Sequence, residues 1–126
     1  MLSLAGHHAL VTGSTKGVGL AIARSLARAG ANLVLNCRQD GPEAQQALEA
    51  CRAEGVEASL VTADLSGETD ACVGDLFEKA IAQFSRLDIL VNNSGAFDGG
   101  PIDEIPLETW MRVINVNLTG VFLCTR

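Results

Sequence analysis

Apolar residues along this chain fall into short runs separated by longer stretches of helical period. Ala9 to Thr12 is a short apolar run stopped by Gly13, and beyond a glycine-rich turn Val18, Ile22 and Leu26 recur at the spacing of one helix face. Gly30 stands where a helix ends in a left-handed residue. Leu33 to Leu35 predicts a second buried strand. Pro42 suits the first turn of a second helix, and Ala44, Leu48 and Cys51 continue at helical spacing until Gly55. The unit then repeats, with Ser59 to Thr62 as strand three and Val73, Leu76, Phe77, Ala80, Ile81 and Phe84 as the apolar side of helix three. Ile89 to Val91 reads as strand four. After a Gly-rich stretch from Gly95 to Pro101, Leu107, Trp110, Met111, Ile114 and Leu118 predict helix continuing close to Arg126. Strands alternating with helices in this way imply parallel pairing through right-handed crossovers, with helices on both faces of the sheet. The expected fold is a doubly wound α/β domain.

Composition narrows the chemistry. The 126 residues are 48% hydrophobic, and no linker, charge block or low-complexity tract divides them, so residues 1–126 are expected to form one domain. A domain of this size buries roughly two-thirds of its unfolded surface, enough for a core without disulfides or metal. The net charge of -6 and the lack of any Lys/Arg-rich run argue against sequence-independent binding to nucleic acid. An anionic ligand would have to be held locally. There is no Tyr, so the chain itself supplies no phenolic acid or base. Cys37, Cys51, Cys72 and Cys124 form no C-x-x-C and read as small apolar residues in a reducing cytosol, with neither zinc nor disulfides expected. The opening Met1 to Gly6 lacks basic residues and does not read as a signal peptide. No window reaches the about 18 apolar residues a membrane helix needs, and the protein is expected to be cytoplasmic.

The most specific segment is the turn Thr12-Gly13-Ser14-Thr15-Lys16-Gly17-Val18-Gly19. Gly13 allows a sharp exit from the strand, Gly17 allows backbone to approach a ligand, and Gly19 allows close helix–sheet packing. The helix that follows points unpaired N–H groups, Val18's among them, at whatever sits in the turn. Such a site suits a phosphate. The strand–turn–helix context is the confirmation that a glycine pattern of this kind requires.

A second readout is expected at the end of strand two, where an acidic residue about 20 residues on would hold the adenosine ribose of NAD. Here the residues are Asn36-Cys37-Arg38. Arg38, with Lys16 in the turn, favours a 2′-phosphate and hence NADP, with NAD possible. The competing reading makes both cations solvated surface charges. Asp40 lies too far past the strand to be a ribose ligand.

These motifs resemble the short-chain dehydrogenase/reductase family, and among its members the 3-oxoacyl-acyl-carrier-protein-reductase-like branch. The resemblance covers all 126 residues but only the N-terminal half of a member. It implies a Rossmann sheet with strand order 3-2-1-4, truncated after the helix following strand four. Thr12-Gly13-x-x-x-Gly17-x-Gly19 matches the family's cofactor turn, so Gly13, Ser14, Thr15, Lys16, Gly17 and Val18 are implied phosphate contacts. Asp64, followed by Leu65, matches the acidic residue that contacts adenine; read from the residues alone, Asp64 could equally begin a turn or cap a helix. Asn92-Asn93-Ser94-Gly95 resembles the family's Asn-Asn-Ala-Gly, with Ser94 in place of Ala, and implies that Asn93, Ser94 and Gly95 line the nicotinamide side. Asn117, before Leu118-Thr119-Gly120, matches the asparagine of the catalytic tetrad, whose backbone carbonyl holds a water leading to the active-site Lys; read from the residues alone, it is an asparagine within a helix, satisfied by local packing. Family members transfer hydride between a nicotinamide and a carbonyl or alcohol.

The family's Ser, Tyr and Lys lie further along than this chain extends, and no residue here substitutes for them. His7 and His8 sit at the amino end of strand one, whereas ligands of such sheets bind at carboxyl ends. Cys124 and Ser94 lack a base partner. Asp98 and Asp103 lie near the expected site, yet nothing in the sequence would raise their pKa. The resemblance therefore implies an NADP-dependent oxidoreductase whose cofactor-binding half is this chain, inactive alone. A non-catalytic dinucleotide-binding or interaction module is the alternative. Strand four would be left with an unpaired edge, and members commonly dimerise through the helix that begins near here, so a homo-oligomer is expected, acting in complete form on a small carbonyl or alcohol.

Overall fold

The computed structural model describes residues 2–67 and 69–126. Four strands, β1 (His8–Val11), β2 (Asn32–Cys37), β3 (Ala58–Thr62) and β4 (Ile89–Val91), form one sheet in the order β3-β2-β1-β4. Every pairing is parallel, with Leu10 opposite Val34 and Leu90, and Leu35 opposite Leu60. Helices α1 (Gly17–Arg28), α2 (Pro42–Arg52) and α3 (Thr69–Phe84) are the crossovers, and α4 (Leu107–Ile114) follows β4. The doubly wound topology and strand order are those expected.

Alternation along β1 divides the core in two. Ala9 and Val11 pack with Leu33 and Leu35 toward α1 and α2, where Ala23, Ala27, Ala47, Leu48 and Cys51 are buried. Leu10 and Val34 point the other way, toward Leu76 and Ala80 of α3. Small residues let α1 lie close to the sheet, because its buried stripe is Gly19, Ala23 and Ala27. Ile22 and Leu26 flank that stripe as expected. Val18 departs from expectation: in the first turn of α1, it is 70% exposed. On α3 the buried stripe is Val73, Leu76 and Ala80, and Ile81 lies to its side, partly exposed.

Gly30 (φ 103) and Gly55 (φ 89) take the left-handed conformation that stops α1 and α2. The last helical stretch is longer than one regular helix. Between α4 and α5 (Gly120–Thr125) the backbone widens into a π-helical turn, Asn115–Thr119, closed by the Gly120 N–H on the Asn115 carbonyl. Such turns insert a residue into the helical repeat and re-aim the side chains beyond them.

Candidate cofactor site at the carboxyl ends of the strands

The glycine-rich turn is fastened on both sides. Gly13 leaves β1 at φ 59 and its N–H donates to Asn36 Oδ1 at 3.1 Å. Ser14 exchanges hydrogen bonds with Asn36: its N–H donates to the Asn36 carbonyl at 2.9 Å, and its Oγ accepts the Asn36 N–H at 2.9 Å. Toward β4, Thr12 Oγ1 accepts the N–H groups of Asn93 (3.0 Å) and Ser94 (2.9 Å). Asn93 Nδ2 returns two bonds, to the carbonyls of Thr12 (3.2 Å) and Gly13 (3.0 Å). Thr12, Ser14, Thr15 and Asn36 are all buried. The side chains of Thr12, Ser14 and Asn36 each find hydrogen-bond partners on neighbouring segments, as buried polar groups must.

The three glycines act differently. A Cβ on Gly19 would stand 2.2 Å from the Gly13 carbonyl oxygen and 2.5 Å from Asn93 Nδ2, so α1 can approach the turn only without one. A Cβ on Gly13 would meet Ser94 Oγ at 2.9 Å. At Gly17 (φ 56) nothing lies within 4 Å, so this glycine faces open space rather than packing. The entry to α1 has no side-chain cap, and the Leu20 N–H donates to the Lys16 carbonyl at 3.2 Å. Amides of the first helical turn are thus left pointing at the mouth of the turn, where partial positive charge accumulates.

Charge around this mouth is unusual for the molecule. Of the nine Lys and Arg side chains, seven lie beside a carboxylate: Arg24, Arg28, Arg52, Lys79, Arg86, Arg112 and Arg126. Among the described residues, Lys16 and Arg38 have no such partner, and both are exposed. Lys16 caps the turn after β1 and Arg38 follows the end of the neighbouring β2. Asp40 is engaged locally, accepting the Gly41 N–H (2.7 Å) and Gln45 Nε2 (2.9 Å).

Asp64 takes the turn conformation that the residues alone permitted. Its Oδ1 accepts the Ser66 hydroxyl (2.6 Å) and N–H (2.9 Å), and these two bonds, with a smaller attraction from Arg38, hold the carboxyl below its ordinary range. Leu65 beside it is buried with Val73 and Cys124. Burial pushes the thiols of Cys37, Cys51 and Cys124 up, which removes thiolate character at neutral pH.

Asn117 lies in the π-helical turn, and its side chain clasps one residue: Oδ1 accepts the Ala96 N–H (2.9 Å) and Nδ2 donates to the Ala96 carbonyl (2.6 Å). Gly95 leaves room for this, since a Cβ there would stand 3.2 Å from Asn117 Oδ1. Arg112 adds an ion pair to Asp98 (2.9 Å), so the loop after β4 is tied to α4 and the π-helical turn at two points. Asn92 reaches Thr125 Oγ1 at 3.2 Å. The histidines lie at the opposite end of the sheet, where His8 stacks on Phe84 at 4.6 Å. The pinning role of Asn36 was missed by pattern reading, although a polar residue within the run Leu33–Cys37 is itself a signal that partners exist.

The described helices include none long and apolar enough to cross a membrane. A family model described as short chain dehydrogenase matches residues 7–126. Over 119 residues the chain is 44% identical to the 3beta-hydroxysteroid dehydrogenase 1 of Eggerthella lenta, covering 94% of this chain and 45% of that protein. It is 39% identical to a 3-oxoacyl-[acyl-carrier-protein] reductase of Synechocystis sp., covering 100% of this chain and 50% of the relative. A crystal structure of a short chain dehydrogenase from Burkholderia cenocepacia in complex with NADP superposes with a TM-score of 0.90 at 34% identity, covering 97% of this chain and 49% of the other. The chain thus spans about half the length of the relatives it matches.

Proposed function

The chain belongs to the short-chain dehydrogenase family, and on that premise we propose that residues 1–126 form the NADP-binding domain of an oxidoreductase that moves hydride between a nicotinamide and a carbonyl or alcohol. The observation that carries the cofactor reading is the pair of cations, Lys16 and Arg38, which among the described residues have no ion-pair partner and lie beyond the carboxyl ends of adjacent strands. A 2′-phosphate is the group they suit, through charge and, for Arg38, a planar donor fork. An NAD-type ribose contact would need a free carboxylate near the end of β2. Asp40 is committed to Gly41 and Gln45 instead.

The remaining residues fit the same ligand. Gly13 to Val18 would cradle the pyrophosphate, with Gly17 giving it open space and the amides of the first turn of α1 facing it. Asp64 and Leu65 would meet the adenine, and Asn93, Ser94 and Gly95 the nicotinamide side. Asn117 takes the place of the family's tetrad asparagine, held against the loop that leaves β4. When bound, the nicotinamide supplies or accepts the hydride. The chain has no Tyr to move the accompanying proton, so carbonyl reduction by these 126 residues alone is expected to be undetectable.

The alternative reading is a dinucleotide-binding module without chemistry. Both readings require NADPH binding, and they part on turnover by the complete protein. The residue-level test is Arg38→Asp, followed by calorimetry with both cofactors. Selectivity is expected to move from NADPH toward NADH; unchanged selectivity would remove Arg38 from the site.

Self-association through α4, the π-helical turn and α5 is part of the proposal. Leu107 (71%), Leu118 (64%) and Phe122 (60%) are exposed along these segments, an apolar surface of the kind that marks an interface. Light scattering is expected to show a dimer or larger species, and a stable monomer with a cooperative melt would count against it.

A further inference from the structure

An asparagine side chain carries both donors and acceptors, and burying it in a strand is costly unless they are matched. Asn36 is 1% exposed and finds its partners on two neighbouring segments. Its Oδ1 accepts the Gly13 N–H at 3.1 Å, and its Nδ2 donates to the Val61 carbonyl at 3.1 Å, with the Ala63 carbonyl at 3.5 Å. Its backbone holds Ser14 in both directions. The glycine-rich turn, the end of β2 and the end of β3 therefore meet at one residue. Gly13 turns away from the sheet at φ 59, and Asn36 supplies the acceptor its N–H would otherwise lack.

We infer that Asn36 is a positioning residue for cofactor binding, its buried amide holding the phosphate turn in register with the strand ends that carry Arg38 and lead to Asp64. This rests on the cofactor reading above. Asn36 itself touches no ligand, because it is buried behind the turn. An aliphatic side chain of similar size would leave the Gly13 N–H and the Val61 carbonyl without their side-chain partner. An aspartate would keep the acceptor but lose the donor, and its charge would face two carbonyl oxygens. Once protonated, an aspartic acid regains one donor and one acceptor.

The test combines calorimetric titration of the chain with NADPH and amide hydrogen exchange by NMR. In the wild-type chain without cofactor, the Gly13 N–H is expected to exchange slowly. Asn36→Leu is expected to weaken NADPH binding by about tenfold or more, in line with the loss of buried hydrogen bonds. Asn36→Asp is expected to bind weakly at high pH and to recover relative to wild type as pH falls and the carboxyl protonates. A Gly13 amide that exchanges as fast as an open turn would overturn the inference, as would wild-type affinity in Asn36→Leu or a pH-independent deficit in Asn36→Asp. If Asn36→Leu does not fold, the aspartate profile and the wild-type exchange rate decide. If wild type binds neither NADPH nor NADH, the cofactor reading fails and takes the inference with it; if wild type binds and Asn36→Leu matches it, the inference alone fails.

Discussion

The carboxyl ends of β1 and β2 and the helical stretch from Leu107 to Thr125 put opposite kinds of residue in unusual places. At the strand ends, polar groups are buried: Thr12, Ser14 and Asn36 are shielded from solvent and hydrogen-bonded to the segments around them. Along α4, the π-helical turn and α5, apolar groups are exposed: Leu107, Trp110, Met111, Leu118 and Phe122 face outward. The first region is complete in itself, since each buried polar atom named above has its partner within the chain. The second gains little from the fold it belongs to. On the proposed function, a turn built this way is organised before its ligand arrives, so ordering would cost little on binding. Under the proposed self-association, the exposed face would contribute to assembly and scarcely to the stability of one subunit.

The largest effect that would sharpen this contrast is at Gly19. Gly19→Ala places a methyl 2.2 Å from the Gly13 carbonyl oxygen, and a loss of about 3 kcal/mol or more in a urea melt is expected from such overpacking. Gly17→Ala meets nothing within 4 Å, so its stability loss is expected to be about 1 kcal/mol, from the left-handed backbone alone. Its main effect is expected in NADPH affinity, where the methyl would occupy ligand space. Equal losses of stability at the two glycines would break the distinction between packing and cradle.

Thr12→Val comes next. It removes the acceptor for the Asn93 and Ser94 N–H groups, and about 2 kcal/mol is expected to be lost in the same melt. Thr12→Ser is expected to restore most of it. Asn117→Ala frees both backbone groups of Ala96; because the site is exposed, about 1 kcal/mol is expected, with faster exchange of the Ala96 amide as the specific sign. On the other side of the comparison, Leu118→Ser is expected to change subunit stability by no more than about 0.5 kcal/mol while lowering the sedimentation coefficient toward that of a monomer. A large loss of stability there would mean that the face is core after all.

The smallest effect concerns Asp64. Its carboxyl is held low by Ser66, so what it contributes is present above the unfolded value of about 3.9 and disappears as pH falls through the lower folded value. Between pH 5 and 8, stability curves of the wild type and Asp64→Asn are expected to run parallel.

Strands and turns were legible wherever the residue alone decides the conformation. Leu33–Leu35 and Ile89–Val91 read as strands because parallel strands covered on both faces are continuously apolar, and Gly30 and Gly55 read as stops because left-handed backbone favours glycine. The pattern stopped at Asn36 because it counts polar residues as exterior, whereas this one is buried by virtue of its partners. Val18 followed the same logic in reverse: its spacing fits the helix face, but in the first turn of α1 it is exposed. The π-helical turn was not visible, since it depends on contacts between distant segments, Gly120 against Leu65 and Asn117 on Ala96. Periodicity likewise marked Leu107 to Leu118 as one apolar face without saying what covers it.

On the proposed function the turn, with Lys16 and Arg38 beside it, holds a 2′-phosphorylated dinucleotide. Titrating the chain calorimetrically with NADPH and with NADH, at low and at moderate salt, tests it most directly. NADPH is expected to bind at least about tenfold more tightly than NADH at low salt, with the advantage shrinking as salt screens Lys16 and Arg38. Equal affinity for the two cofactors, or an NADPH preference unmoved by salt, would contradict it.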